Sequence, residues 1–279
     1  MKLLGWNRIF HPTDFTRGND GALNHALKLA LLNRCELDIM HTGPSGDGVS
    51  WQDFPRVREI LNRWGVVPAG ISHKEMRDSL GLEVKKIRTQ GDDPVAAIVK
   101  NIADSEPDLV VLATHQRKGF ERWLHRAVAE PVARNAGGLT LFVPRRARGF
   151  VSNESGEMRF ENIIVPVDHA PRPQSAVDAA IELARAAHAT NVRFTILHVG
   201  EDEDMPEVSV PDVAGWHFER SAWKGNVVEH VLSVAKERDA DLIVMATHGH
   251  DGFLDALRGS TTERVLRGAN CPLLAARAA

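Results

Sequence analysis

DLIVMATHGHDGFLDALRGS, residues Asp241 to Ser260, reads as a buried strand, Leu242 to Ala246, running into a glycine-bearing loop. The loop ends at Gly259-Ser260, where Thr261-Thr262-Glu263 opens a helix. In α/β folds that order makes an anion site, because unpaired backbone N–H groups and the helix dipole converge on one place. The same strand occurs earlier as DLVVLATH, Asp108 to His115, with a different continuation. The chain therefore contains a comparison with itself.

Working outward, the repeat extends over most of the chain. Arg8 to Pro12 with Asp14 matches Asn162 to Val167 with Asp168, each a short apolar run ending in a turn. A helix follows in each half, with Leu23, Ala26, Leu27 and Ala30 in one and Val177, Ala180, Ile181 and Ala184 in the other at helical spacing. Second strands are expected at Glu36–His41 and Val192–Val199, and third strands at Glu83–Arg88 and Trp216–Trp223. Val95–Ala103 and Asn226–Arg238 read as helices, and Leu139–Val143 and Leu273–Ala276 as fifth strands. Glu130–Asn135 reads as helical, closed by Gly137-Gly138. From Asp108 onward the halves align without gaps, Asp108 on Asp241 and Glu130 on Glu263. Upstream, the first half carries about twenty extra residues, mostly between Gly43 and Gly81. Trp51–Trp64 in that insert reads as a helix, and Val66–Leu80 is ambiguous.

Alternating strands and helices imply right-handed crossovers and parallel strands with helices on both faces. Ligands of such folds sit beyond the carboxyl ends of the strands, where the strand order switches. Asp14, Asp168 and the loop after Ala246 lie at those ends. The polar, aperiodic stretch Arg145–Glu157 places a connection between the halves, giving domains 1–147 and 159–279 with a linker at 148–158.

Composition limits the function classes. A length of 279 residues suits two domains, and 43% hydrophobic with 25% charged residues is ordinary for a globular protein. A net charge of −3 offers no electrostatic footprint for nucleic acid or an anionic membrane, and neither is expected as a partner. Two cysteines in different halves make no disulfide framework and no CxxC metal site. The N-terminus has no signal-peptide pattern and no apolar run reaches bilayer length, so a cytoplasmic location is expected.

In the second half, glycine permits close backbone approach at Gly249 and Gly259, while Ser260–Glu263 has the capping-box form. A phosphate would receive N–H groups near Gly249 and Ser260 and the Ser260 or Thr261 hydroxyl. The plainer reading is a turn at Gly249 and Gly252 with Ser260 as an N-cap. No lysine follows Gly259, so this is not a Walker A loop, and binding or very slow turnover is expected over fast hydrolysis.

These features together resemble the universal stress protein family, specifically its tandem two-domain members. The family motif is Gly, two residues, Gly, nine residues, Gly, then Ser or Thr. Gly249, Gly259 and Ser260 match its later positions, and Ala246 replaces the first glycine. ERVLRGANCPLL (Glu263–Leu274), IIVPVD (Ile163–Asp168) and TILHV (Thr195–Val199) are also similar. The resemblance implies two tandem doubly wound five-stranded parallel sheets, Rossmann-like or flavodoxin-like, ordered 3-2-1-4-5. It implies ATP, with or without Mg²⁺, across the strand ends of the second half. There Asp168 and Val199 would meet the adenine or ribose, and Gly249, Gly259 and Ser260 the phosphates, with Ala246 adding a methyl that narrows the site. Members commonly dimerise through the last strand. In a tandem chain Leu139–Val143 and Leu273–Ala276 would pair internally, in a pseudo-symmetric monomer or a further homodimer.

The first half departs from the motif. Ala113, Gln116, Arg126 and Ala127 stand at its positions, so no nucleotide is expected there. Arg117, Lys118, Arg122 and Arg126 are read as a solvated face rather than an anion pocket. His248-Gly249-His250-Asp251 and His169 could suggest a metal, but His115 and His41 repeat the positions of His248 and His198, which favours structural histidines and no metal. The His-x-Gly-His tetrapeptide follows the fourth strand, not the first as in nucleotidylyltransferases. No Ser-His-Asp or Cys-His set has a nucleophile elbow. The leading expectation is a stress-response protein binding adenine nucleotide, regulatory rather than catalytic, with an unidentified protein partner. The alternative is a non-nucleotide interaction or small-ligand module using the Gly43–Gly81 insert.

Overall fold

The computed structural model of the protein describes residues 5–15, 20–44, 48–91, 93–114, 139–247 and 261–278. Ten strands form one sheet: β1 Arg8–Pro12, β2 Glu36–Gly43, β3 Glu83–Gln90, β4 Leu109–Thr114, β5 Leu139–Pro144, β6 Asn162–Pro166, β7 Val192–Val199, β8 Trp216–Trp223, β9 Leu242–Thr247 and β10 Leu273–Arg277. Among the described residues the helices are α1 Asp20–Asn33, α2 Val57–Arg63, α3 His73–Leu80, α4 Pro94–Ser105, α5 Pro173–Ala186, α6 Val227–Glu237 and α7 Thr261–Gly268.

The strand order is β3-β2-β1-β4-β5-β10-β9-β6-β7-β8, the expected 3-2-1-4-5 order twice, back to back. Neighbours within each half are parallel. At the centre β5 and β10 run antiparallel, Leu273 opposite Phe142 and Ala276 opposite Leu139. The expected pairing of the two last strands is thus internal to the chain, and it merges two five-stranded units into a single sheet.

Side chains alternate along each strand, so each face of the sheet receives one parity. Ile9, Ile39, Val111, Val165 and Val244 face α1 and α5 in one cluster, which Val57, Leu61 and Met76 of α2 and α3 extend. Phe10, Met40, Val110, Ile164 and Ile243 face the other way, against Ile98 of α4, Val231 of α6 and Val265 of α7. The result is three layers, helix–sheet–helix, with apolar residues on both sheet faces.

The repeated aspartate that opens DLVV and DLIV does the same job in each half. Asp108 Oδ2 accepts the N–H groups of Asn7 (2.6 Å) and Arg8 (2.9 Å). Asp241 Oδ2 accepts those of Glu161 (2.8 Å) and Asn162 (3.0 Å). Each carboxylate satisfies the donors that enter the neighbouring first strand. Asp241 is additionally buried, with Arg148 at 2.8 Å.

Stretch 148–158 is tied to the first half through Phe150, Val151 and Asn153. Phe150 and Val151 are buried, and their N–H groups donate to His25 Nε2 on α1 (3.0 and 3.3 Å). The Asn153 carbonyl accepts from Arg63 and Trp64 of the insert region. In the insert, the helix expected over Trp51–Trp64 begins only at Val57. Pro55 explains the late start, since the residue before a proline is pushed out of the helical region. The ambiguous stretch resolves into α3, which starts at a complete capping box, Ser72 with Glu75, and stops at Gly81 with φ 67°.

Candidate functional site

The switch in strand order in the second half lies between β6 and β9, with β7 on the far side of β6. At their carboxyl ends is a cavity of about 360 Å³. Its walls are the turn after β6, the ends of β7 and β9, and the N-terminal residues of α5, α6 and α7. Pro166, Leu197, Val199 and Met245 give it an apolar side, and Asp168, Thr247, Thr261 and Thr262 a polar one.

Four of the seven residues singled out from the sequence, Asp168, Val199, Ala246 and Thr261, line this one cavity. Gly249, Gly259 and Ser260 lie outside the described residues, as do His248, His250 and Asp251. Asp168 is exposed, and its Oδ1 accepts the His169 N–H at 2.8 Å, which leaves Oδ2 for a ligand hydroxyl. Val167 is tied across to β7 by its N–H to the Leu197 carbonyl (2.8 Å), so the turn carrying Asp168 is fixed to the sheet edge. Thr261 and Thr262 stand in the first turn of α7, where backbone N–H groups have no partner within the helix. Ala246 packs its methyl with Leu242 and Val244 in the cluster on the α5 face. Met245, of opposite parity, belongs to the cluster on the other face. The methyl that replaces the motif's first glycine is therefore directed across the sheet from Met245.

Sequence reading missed Leu197, Met245, Thr247 and Thr262 as wall residues. Leu197 and Met245 were legible in principle: both occupy the parity that faces α6 and α7 at the last turn of strand. The contribution of Val227, at the start of α6, depends on tertiary placement alone.

The described histidines nearest the strand ends bond to backbone carbonyls. His198 Nδ1 lies 3.2 Å from the Val167 oxygen, and its counterpart His41 Nδ1 2.9 Å from the Thr13 oxygen. His169 Nε2 lies 2.9 Å from the Asp204 oxygen. Among the described residues, no group of three or more His, Cys, Asp or Glu is arranged to hold a metal. No described helix is long and apolar enough to cross a membrane.

The corresponding place in the first half is built differently. Phe15, which aligns with His169, adopts φ 55° and stacks on His41 with ring centroids 4.3 Å apart. Phe54 of the insert meets Phe15 edge-on at 5.0 Å and is itself buried. Gln116, Arg117, Lys118, Arg122, Arg126 and Ala127 lie outside the described residues.

Comparison with known proteins gives a consistent result. Universal stress protein A homolog 1 of Coxiella burnetii is 31% identical over 143 residues, 42% of this chain and 96% of that protein. The crystal structure of a universal stress protein from Archaeoglobus fulgidus covers 98% of this chain, and 96% of that one, with a TM-score of 0.61 at 18% identity. A functionally unknown protein from Pseudomonas aeruginosa PAO1 covers 99% of this chain and 94% of its own at a TM-score of 0.59 and 16% identity. At those identities the two structures speak for the fold alone. The model of the Universal stress protein family matches residues 5–144, 159–221 and 216–277. With both halves matched, this chain belongs to the universal stress protein family.

Proposed function

We propose that the second half binds one adenine nucleotide across the ends of β6, β7 and β9, as a regulatory ligand rather than a rapidly turned-over substrate. The observation that carries this reading is the convergence of Asp168, Val199, Ala246 and Thr261 on one cavity at the strand-order switch. The apolar side, Leu197, Val199 and Met245, suits a planar base. Asp168 has a carboxylate oxygen to accept from a ribose hydroxyl, and a charge-assisted bond of that kind is worth about 1.5–3 kcal/mol. The phosphates would lie toward the first turn of α7 and the loop containing Gly249, Gly259 and Ser260, where N–H groups and the helix dipole favour negative charge. No cationic side chain lines the described cavity, so the phosphates would rely on backbone donors, the threonine hydroxyls and any Mg²⁺ they bring. That arrangement lacks the lysine of fast phosphoryl-transfer sites.

Equilibrium dialysis with labelled ATP is expected to find about one site per chain. Gly259→Arg, which copies Arg126 of the first half, is expected to abolish it. Full binding by that variant, or no ATP uptake by the intact protein, would refute the assignment.

A further inference from the structure

The first half has a second cavity, of about 570 Å³, on the other face of the sheet. His11, Thr13 and Phe15 line it, with the parity of Ile9 that faces α1, whereas the proposed nucleotide site is lined mainly by the opposite parity, Pro166, Asp168, Leu197 and Met245, and overlaps this one at the position of Val167, the counterpart of Thr13. The cavity lies between α1, the insert around α2, and residues Asn153 and Glu154 of the connecting stretch. It is not the first-half copy of the nucleotide site.

Aligning Asp14 with Asp168 shows what the chain changed there. Val165 and Val167 become His11 and Thr13, and Ala179 becomes His25. His11, Thr13 and His25 are all buried, as are the apolar residues they replace. Asn24 is buried as well, although its counterpart Asp178 is exposed. Polar groups buried without partners oppose folding, and this region retains two of them. His11 Nδ1 lies 2.9 Å from the Val111 oxygen, while its Nε2 has no hydrogen-bond partner. Asn24 Nδ2 donates to Asn153 Oδ1 at 2.8 Å, while its Oδ1 has none. Burial holds the His11 imidazole neutral, with its pKa lowered to about 4, so the Nδ1 proton goes to Val111 and Nε2 is a lone-pair acceptor. Both unfilled positions are thus acceptors. The exposed wall adds carboxylates, and among the described residues Asp20 and Glu154 form no ion pair. The cavity's arginines are engaged, Arg56 with Glu59 at 3.0 Å and Arg63 with the Asn153 carbonyl at 3.0 Å.

We propose that this cavity binds a small protonated amine carrying several N–H donors, with His11 Nε2 and Asn24 Oδ1 accepting in the interior and Asp20 and Glu154 supplying the charge. The ligand class follows from complementarity: unfilled acceptors and carboxylates select against anions and favour a cationic donor. The site is independent of nucleotide binding in the other half and on the other face.

The test uses the full chain with putrescine and spermidine as probes and sorbitol as an uncharged donor, by isothermal titration and native mass spectrometry. One amine per chain is expected, with sorbitol at least tenfold weaker. His11→Val, the residue of the second half, is expected to weaken amine binding at least tenfold while the protein stays folded. Asp20→Asn with Glu154→Gln, both exposed, is expected to do the same while lowering the melting temperature by no more than a few degrees, the share of Asp20 in the first turn of α1. Absence of amine binding, equal affinity for sorbitol, or unchanged affinity in either variant would each overturn the proposal.

Discussion

Lowering the pH should loosen the junction between the halves through one side chain, His25. Its Nδ1 lies 2.6 Å from the Gly21 oxygen, and its Nε2 accepts the N–H groups of Phe150 (3.0 Å) and Val151 (3.3 Å). The ring also meets Phe150 edge-on at 4.3 Å, and a Cβ on Gly149 would fall 2.2 Å from it. A proton on Nε2 would destroy its role as acceptor, and burial lowers the pKa from 6.5 to about 4. The unfolded chain therefore binds a proton that the folded chain refuses. The stability from this group is present above pH 6.5 and lost as the pH falls toward 4. Between pH 7 and pH 5 the loss is roughly 2 kcal/mol for a shift of this size. His11, also lowered to about 4, adds a similar amount. Urea unfolding at the two pH values should show the wild-type chain losing roughly 4 kcal/mol from these two groups and His25→Ala losing about half of that. At pH 7 the variant should already be about 3 kcal/mol less stable, since it leaves two linker N–H groups without their acceptor and opens a void. An identical pH slope in wild type and variant would refute the reasoning.

Three further outcomes follow from the same structure. Asp241→Ala removes the acceptor of two backbone N–H groups, while the exposed Arg148 keeps Asp239 as a partner, and should cost about 2–3 kcal/mol in urea unfolding. Asp108→Ala, at a half-exposed position, should cost visibly less, and equal losses would show that burial is not the deciding factor. Gly215→Ala should lower the melting temperature by several degrees, because Gly215 sits at φ 82° and a Cβ there would lie 2.1 Å from the Thr190 carbonyl oxygen. An unchanged melting temperature would contradict that geometry. Both thiols, Cys35 and Cys271, are buried and their pKa values pushed up to about 12, so a thiolate-selective reagent should label neither in the native protein and both in urea. Rapid native labelling would show that one of them is accessible.

Much of the fold was legible because strands and helices repeat in order, and apolar periodicity reports each one locally. β3 is legible from alternation, β8 from its place in the repeat, and the β5–β10 pairing from the family resemblance. Local signals failed in the insert. The apolar positions of Trp51–Trp64 suggested one helix, but Pro55 delays it to Val57, and Phe54 is buried beside Phe15 instead. The connecting stretch reads as polar and aperiodic, and no local pattern reveals that His25 binds its backbone.

Local sequence carries the duplicated α/β architecture and the difference between the halves, because strand, loop and helix types follow from short-range spacing and the second copy supplies the standard of comparison. It also marked Asp168, Val199, Ala246 and Thr261, which the fold brings to one cavity. Long-range packing sets the Ala246 methyl on the α5 face and completes the opposite wall with Leu197 and Met245. It alone placed His11 and Asn24 beneath the insert with acceptors unfilled. Those outcomes depend on which face of a sheet a side chain takes and on what a distant segment lays over it. Both are set by packing between residues far apart in the chain.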